Sequence, residues 1–177
     1  MNVTKRPDIY TDLEYLGAAT DYVEDVFEAI SNGPLFGSFS QNEIEALCQF
    51  MHCFVAPREG VLLNEGEQGD YLLVILSGNV DVRKKNPQGK LVTIAQVHRG
   101  SSLGEMSLFD GSPRFATCVA TEPVDFAVMT RADFNEILLI HPRLANKLMI
   151  RLMQVLVVRL RDTGQRLLSN YLNPVKD

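Results

Sequence analysis

Short apolar runs alternate with turn residues between positions 53 and 129, which is the pattern of a β-rich region. The run at 71–76 is continuous, whereas 79–83 alternates apolar and polar residues, as a half-exposed strand does. Glycine or proline marks the turns at 65–70, 77–78 and 86–89. About eight strands are expected, and such regular spacing is typical of a sandwich, jelly roll or barrel. The predicted strands are 53–56, 60–64, 71–76, 79–83, 90–97, 116–120 and 124–129.

Helical patterns lie on both sides of this region. Residues 10–30 predict a helix that ends at the stop 31–34, with an acidic solvated face and Leu13, Leu16, Val23, Phe27 and Ile30 as core contacts. A capping box of Ser40 and Glu43 predicts a second helix over 41–51, which buries Ile44, Leu47 and Phe50. Another helix opens at Thr130 and ends before the break at His141 and Pro142.

A long helix is predicted from Pro142 toward Tyr171. It is apolar around most of its circumference, so it should be buried on more than one side. Its polar residues form one stripe: Lys147, Arg151, Gln154, Arg161 and Gln165. One side can cover the strands, and the other side favours the same helix of a second copy, which predicts a homodimer through residues 142–171. The alternative is that the N-terminal helix covers this second side within one chain.

Composition narrows the function classes. The chain has 177 residues, 46% hydrophobic residues and a net charge of −5, so it has no overall electrostatic footprint for nucleic acid. Three cysteines without metal-like spacing favour a reducing, cytoplasmic setting. The first ten residues lack the apolar core of a signal peptide, and the longest apolar run is shorter than the ~20 residues that span a membrane.

Residues 101–117 carry the clearest chemistry. Gly104 permits close backbone approach, and a short helix that begins there offers free N–H groups to an anion. Arg114 follows the turn at 110–113 and has a planar fork that suits a phosphate. Glu105 carries a carboxylate, which would accept hydrogen bonds from sugar hydroxyls. These residues indicate a ribose-phosphate binder.

The segments Gly104-Glu105-Met106-Ser107-Leu108 and Pro113-Arg114-Phe115-Ala116-Thr117 resemble the phosphate-binding cassette of cyclic nucleotide-binding domains. That family includes kinase A regulatory subunits, bacterial catabolite activators and cyclic-nucleotide-gated channels. The chain departs from the family pattern at Leu103, Ser107 and Phe115. The resemblance implies an α+β fold, a β-roll of the jelly-roll type flanked by N-terminal and C-terminal helices. It divides the chain into a helical extension (1–33), a nucleotide-binding domain (34–172, with the roll at 53–129 and C-terminal helices at 130–172) and a tail (173–177).

The resemblance also assigns site residues. Glu105 would accept from the ribose 2′-hydroxyl, and Arg114 would bind the cyclic phosphate with the backbone N–H groups of Gly104, Met106 and Ala116. Thr117 would reach the phosphate or the base edge, with a plain strand threonine as the alternative. A threonine directly after the arginine favours cGMP in this family, and Phe115 lacks that hydroxyl, so cAMP is favoured.

Other residues are weaker pocket candidates. Val61, Leu72, Val92 and Ile94 could line the pocket or be ordinary strand core. Leu156, Leu160 or Arg161 of the long helix could cap the base. For Phe115, the alternatives are that it points into the roll or crowds the base pocket.

The expected function is that of a stand-alone cyclic nucleotide sensor without cofactor, metal or enzymatic activity. Binding would draw the helices after residue 130 onto the pocket and change what they present to a partner protein of unknown identity. The chain ends soon after Tyr171, so we expect no helix-turn-helix reader, nucleic acid or membrane partner; an excised domain of a longer protein is the alternative. A competing hypothesis is an interaction module that keeps the fold without nucleotide. A cupin-type enzyme is disfavoured because His52, His98 and His141 are far apart in sequence.

Overall fold

The computed structural model describes residues 9–172, with side chains through residue 168. Nine strands form two antiparallel sheets within this range, and five α-helices lie before, between and after them. This is the predicted α+β fold with a β-roll and flanking helices. The predicted tail at 173–177 lies outside the described residues, and the division into 1–33, 34–172 and 173–177 stays a prediction.

The strands follow the predicted order closely. The five-stranded sheet has the order β1-β2-β9-β4-β7, and the four-stranded sheet has the order β3-β8-β5-β6. The short β7 strand was not predicted. The strand bounds are β1 Glu14–Ala18, β2 His52–Ala56, β3 Val61–Leu63, β4 Tyr71–Ile75, β5 Asn79–Lys85, β6 Leu91–His98, β7 Ser102–Leu103, β8 Thr117–Ala120 and β9 Val124–Thr130.

The helices begin and end at local signals. Ser40 and Thr130 each complete a capping box, with Glu43 and Asp133 respectively, as the sequence predicts for Ser40. Residues 19–22 form one turn of 3-10 helix before α1. The helix bounds are α1 Val23–Ile30, α2 Gln41–Cys48, α3 Glu105–Asp110, α4 Arg131–Ile140 and α5 Pro142–Leu172.

The prediction of one helix over residues 10–30 is wrong in its first half. Glu14–Ala18 is a strand that pairs antiparallel with β2, with Tyr15 opposite Phe54. Its apolar residues also fit a helical spacing, so the local pattern did not distinguish the two states. Pairing with a strand more than thirty residues away decided it. The acidic residues of this region are exposed as expected, although they do not share one helix face: Asp12, Glu14, Asp21, Glu24, Asp25 and Glu28.

The five-stranded sheet separates two hydrophobic cores. Along β9, Phe126 and Val128 point into the roll, whereas Ala127 and Met129 pack with the helices on the other face. The sheet is therefore buried on both faces, which explains the continuous apolar run in β4. Burial of these two faces is the main favourable contribution to folding.

The long helix α5 has two parts. Up to Val155 it buries Leu144, Ala145, Leu148 and Leu152 in the helical core. Its polar stripe contacts the N-terminal helical region: Lys147 Nζ lies 2.7 Å from Glu43 Oε2, and Arg151 Nη2 donates to the Pro34 carbonyl at 2.7 Å. These contacts come from residues 34 and 43, which follow the N-terminal helix of the sequence-level alternative, and a second apolar side of α5 stays exposed. Across residues 9–172, no helix combines the length and hydropathy that a membrane crossing requires.

Candidate functional site

Gly104 sets the geometry of the cassette. It has a left-handed φ of 81° and precedes the first residue of α3. A Cβ here would lie 2.6 Å from Arg114 Nη1 and 3.0 Å from the Tyr71 carbonyl oxygen. Both the conformation and the available space therefore require glycine, and the turn that carries Glu105 can approach Arg114 closely.

Arg114 is a buried cation that forms no ion pair with an acidic side chain among the described residues. Its side chain is 4% exposed, and it donates from Nη1 to the Gly104 carbonyl at 2.9 Å and from Nη2 to the Tyr71 carbonyl at 2.8 Å. The guanidinium also lies 4.3 Å from the centre of the Tyr71 ring. None of the ion pairs in the described part of the chain includes Arg114. A guanidinium has five N–H donors, so this one retains charge and donors for an anion.

Glu105 lies beside this cation and is almost completely buried, at 1% exposed. Its Oε1 accepts from Arg159 Nη1, while its Oε2 has no hydrogen-bond partner among the described residues. Burial raises the pKa of the Glu105 carboxyl, and the charges of Arg159 and Arg114 oppose that rise. The carboxylate therefore has one oxygen that can accept a hydroxyl.

The remaining predicted site residues divide between surface and sheet. Met106 and Phe115 are exposed, so Phe115 does not point into the roll; its ring lies 4.2 Å from Lys84 Nζ. Ala116 is buried next to it. Thr117 accepts from the Glu65 backbone N–H at 3.1 Å, which is the role of a strand threonine at a turn.

The structure places the other predicted pocket residues in different environments. Leu72 is ordinary strand core, which was one of its two alternatives: it is buried between the sheet and the helices, on the face that points away from the roll interior. Val61, Val92 and Ile94 are each about two fifths exposed and stay candidates for an apolar pocket wall. In α5, Leu160 and Arg161 are exposed and Leu156 is half-buried, so the predicted base cap stays a prediction.

Arg159 was not among the predicted site residues. From α5 it reaches the cassette and donates to Glu105 and, from Nη2, to the Ser102 carbonyl at 2.6 Å. Seven residues further along the helix, Arg166 donates to the Ile94 carbonyl at 3.1 Å. The sequence did contain a signal for this contact. Arg159 interrupts the most apolar stretch of the helix, and a charged residue in such a place usually has a partner.

The histidines and cysteines form no metal site in the described part of the chain, although Cys118 lies close enough to feel the charges of Glu105, Arg114 and Arg159. Within the described residues, no group of three or more histidine, cysteine or carboxylate side chains is placed to hold a metal ion. His52 is buried with its Nδ1 2.9 Å from the Tyr15 hydroxyl. Burial raises the pKa of the free thiols of Cys48, Cys53 and Cys118 to about 12, so they are poorly nucleophilic.

Comparison with known proteins identifies the same region. Residues 54–141 match the family model described as the cyclic nucleotide-binding domain. The structure is similar to the crystal structure of a cyclic nucleotide-binding domain from Methylobacillus flagellatus KT. The two are 44% identical with a TM-score of 0.83, and the alignment covers 99% of this chain and 98% of that one.

Curated relatives include two classes of regulator. The chain is 27% identical over 140 residues to a CRP-like cAMP-activated global transcriptional regulator of Mycobacterium tuberculosis, which covers 79% of this chain and 61% of the relative. It is 28% identical over 121 residues to a cAMP-dependent protein kinase regulatory subunit of Yarrowia lipolytica, which covers 68% of this chain and 31% of the relative. The chain thus spans less than two thirds of either relative. The matched residues, the β-roll and the cassette geometry agree, and the chain belongs to the cyclic nucleotide-binding domain family.

Proposed function

We propose that this chain binds a cyclic mononucleotide, with cAMP favoured over cGMP, and signals through its C-terminal helices to a partner protein. The observation that carries the proposal is Arg114. It is a buried guanidinium without an ion-pair partner in the described residues, and Gly104 and Glu105 lie directly beside it. A buried charge is costly unless it is paired, so such a site favours an anion that brings its own negative charge.

The groups beside Arg114 favour a nucleotide over a simple anion as the ligand. Arg114 would bind the cyclic phosphate in charge-assisted hydrogen bonds. Glu105 would accept from the ribose 2′-hydroxyl, which is the group that its free Oε2 is suited to receive. Gly104, Met106 and Ala116 would contribute backbone N–H groups. The site binds without reacting, and no cofactor is needed for this role.

Base preference would depend on Phe115. Its exposed ring beside Lys84 offers an aromatic surface but no hydroxyl for a guanine, so adenine is favoured by default. Replacing Phe115 by threonine should raise the affinity for cGMP relative to cAMP. Thr117 would contribute less, because its hydroxyl already accepts from the backbone of Glu65.

The exposed side of α5 is the surface through which we propose that the chain signals. Its apolar residues repeat at intervals of three, four or seven, and each is 45% exposed or more: Ile150, Met153, Val157, Leu160 and Leu167. That spacing is the seam of a two-stranded coiled coil. We propose a homodimer through this seam, a cytoplasmic location, and a downstream protein that reads the helix position.

A second candidate function is an interaction module that uses the fold without nucleotide. The contact of Arg159 with Glu105 favours it, because this contact occupies one of the two oxygens of the carboxylate that a ribose would need. The exposed seam would serve assembly in either case.

Calorimetry with cAMP, cGMP and a cyclic dinucleotide tests the proposal. We expect cAMP to bind with a Kd in the micromolar range or lower, corresponding to roughly 8 kcal/mol or more. Arg114→Ala should weaken binding by roughly 2–4 kcal/mol, the scale for loss of a charge-assisted partner. Arg143→Ala, which removes an exposed arginine at the start of α5, is the matched control. Absence of heat with all three nucleotides would contradict the sensor function, and normal binding by Arg114→Ala would contradict the site.

A further inference from the structure

Tyr10 brings the segment before β1 into the hydrophobic core of the roll. Its ring packs edge-on against three aromatic rings at centroid distances of 5.3 to 5.8 Å: Phe54, Phe126 and Tyr71. Its hydroxyl donates to the Leu62 carbonyl at 2.6 Å. These partners belong to β2, β9, β4 and β3, so Tyr10 joins strands of both sheets.

The pairing of β1 fixes the position of this segment. β1 follows Tyr10 and pairs antiparallel with β2, with Tyr15 opposite Phe54. The rings of Tyr15 and Phe54 are also in contact, at a centroid distance of 5.2 Å. Only residues 11–13 separate Tyr10 from β1, so the hydrogen-bonded strand limits how far Tyr10 can move.

Tyr71 contacts both Tyr10 and the arginine of the cassette. The Tyr71 carbonyl accepts from Arg114 Nη2 at 2.8 Å, and Arg114 Cζ lies 4.3 Å from the centre of the Tyr71 ring. A cation over an aromatic face is attracted by the ring, so the position of the ring affects the orientation of the guanidinium. Tyr10 packs against that ring and forms a hydrogen bond with the Tyr71 side chain. Movement of the Tyr71 ring would therefore require Tyr10 to move as well.

The Tyr10 hydroxyl also lies within range of the charge of Arg114. Burial is the main cause that raises the pKa of Tyr10, the Tyr71 side chain raises it further, and the charge of Arg114 opposes the rise. The hydroxyl therefore stays protonated at physiological pH and keeps its hydrogen bond to the Leu62 carbonyl. Tyr10 and Tyr71 thus surround Arg114 with neutral groups, which leave its positive charge available to a ligand.

We propose that Tyr10 is a positioning residue for the phosphate site: its ring fixes Tyr71, and Tyr71 holds the Arg114 guanidinium in the orientation that binds the anion. The proposal rests on the proposed function and deepens it, because it makes the segment before β1 part of the nucleotide-binding unit. An arginine loses rotamer freedom when it binds an anion, and part of this loss is avoided when neighbouring groups already restrict the side chain. Tyr10 acts through Tyr71 and needs no contact with the ligand.

The ligand-dependent test is calorimetry with cAMP. Tyr10→Leu removes the ring and should weaken binding by about tenfold, because the aromatic neighbour of Arg114 is no longer fixed. Tyr10→Phe keeps the ring against Tyr71 and should bind within about threefold of the original chain. Full affinity in Tyr10→Leu, or an equal loss in Tyr10→Phe, would overturn the proposal.

Two controls separate positioning from a general loss of stability. Tyr15→Leu makes the same change in a neighbouring residue that packs on Phe54, and it should leave the cAMP affinity unchanged. In a Tyr71→Leu background, Tyr10→Leu should weaken binding by less than about twofold further, because the residue through which it acts is gone. A loss as large as in the original background would contradict action through Tyr71. Far-UV circular dichroism would verify that each variant is folded.

A second measurement needs no nucleotide. The Nε–H signal of Arg114 in a nitrogen–proton NMR correlation spectrum reports the Tyr71 ring beside it, and its absence from Arg114→Lys assigns it. Tyr10→Leu should shift this signal, Tyr10→Phe should shift it less, and Tyr15→Leu should leave it unchanged. An unchanged signal in Tyr10→Leu, or in Tyr10→Phe if Tyr10→Leu did not fold, would overturn the proposal. If the original chain bound no cAMP, the proposed function would fail, and this signal would still decide the role of Tyr10.

Discussion

Gly69 packs against the guanidinium of Arg114 so closely that there is no room for a methyl group between them. A Cβ added at Gly69 would lie 2.5 Å from both Nε and Nη2 of Arg114. That distance is far below an ordinary contact. The buried guanidinium has little room to move, because the Gly104 and Tyr71 carbonyls accept from its Nη atoms and the Tyr71 ring lies against its face. Gly69 therefore helps to fix the position of Arg114, the proposed phosphate-binding residue.

Gly69→Ala should displace Arg114 and weaken cAMP binding by about tenfold or more, since misplacement of a charge-assisted donor loses most of its contribution. Calorimetry with the single and double variants provides the test. In an Arg114→Ala background, Gly69→Ala should have little further effect, because the clash is gone. Independent losses from the two substitutions would contradict this coupling.

The exposed seam of α5 predicts dimerisation. Leu160→Glu places a charge at a 73% exposed position, so the fold should survive while the dimer dissociates. Sedimentation velocity over a range of concentrations would measure this. Arg161→Glu, one residue along on the polar stripe, is the control and should stay dimeric. A monomeric original chain would contradict the prediction.

His52 predicts a pH dependence of stability. It is buried in β2, and burial lowers its pKa below the ordinary value of about 6.5. The unfolded chain therefore binds a proton at a pH where the folded chain does not. The contribution is fully present above about pH 6.5 and is lost as the pH falls from there toward the lowered folded pKa, by at most about 1.4 kcal/mol per pH unit.

Urea unfolding between pH 5 and 7.5 would measure that slope. His52→Gln should flatten it over this window, even if it lowers the stability at every pH. His98→Gln replaces an exposed histidine and should retain the slope of the original chain. An unchanged slope in His52→Gln would assign the pH dependence to other groups.

The capping box of α2 predicts a local stability effect. Ser40 Oγ accepts from the Glu43 N–H at 3.4 Å, and Glu43 Oε2 accepts from the Ser40 N–H at 2.8 Å. Ser40→Ala should reduce the free energy of unfolding by about 1 kcal/mol, because the helix loses a capping acceptor. Denaturant unfolding measures this change. Asn42→Ala, at an exposed position of the same helix, should not destabilise the protein.

The strands β1 and β4 differ in how far their local sequence determines their structure. The strong run of β4 was predicted correctly because its composition fits a strand that is buried on both faces. Residues 14–18 were predicted as helix, because their apolar spacing suits either state and only pairing with β2 distinguishes them. Local sequence is equally insufficient for Leu72. Whether its side chain points toward the helices or into the roll depends on which elements cover each face of the sheet.

For the candidate site, too, some features followed from the sequence and others only from the tertiary structure. Gly104, Glu105 and Arg114 could be identified from the sequence, because they lie within eleven residues and their chemistry depends on residue type and local turns. Tertiary structure decided that Arg114 has no ion-pair partner in the described chain and that Arg159 lies on Glu105. Such contacts join residues far apart in sequence, and their free energy depends on burial that no local pattern records. The sequence by itself determined which residues make up the cassette, because their chemistry depends on residue type and local turns, whereas the tertiary structure decided that Arg159 of the long helix contacts it.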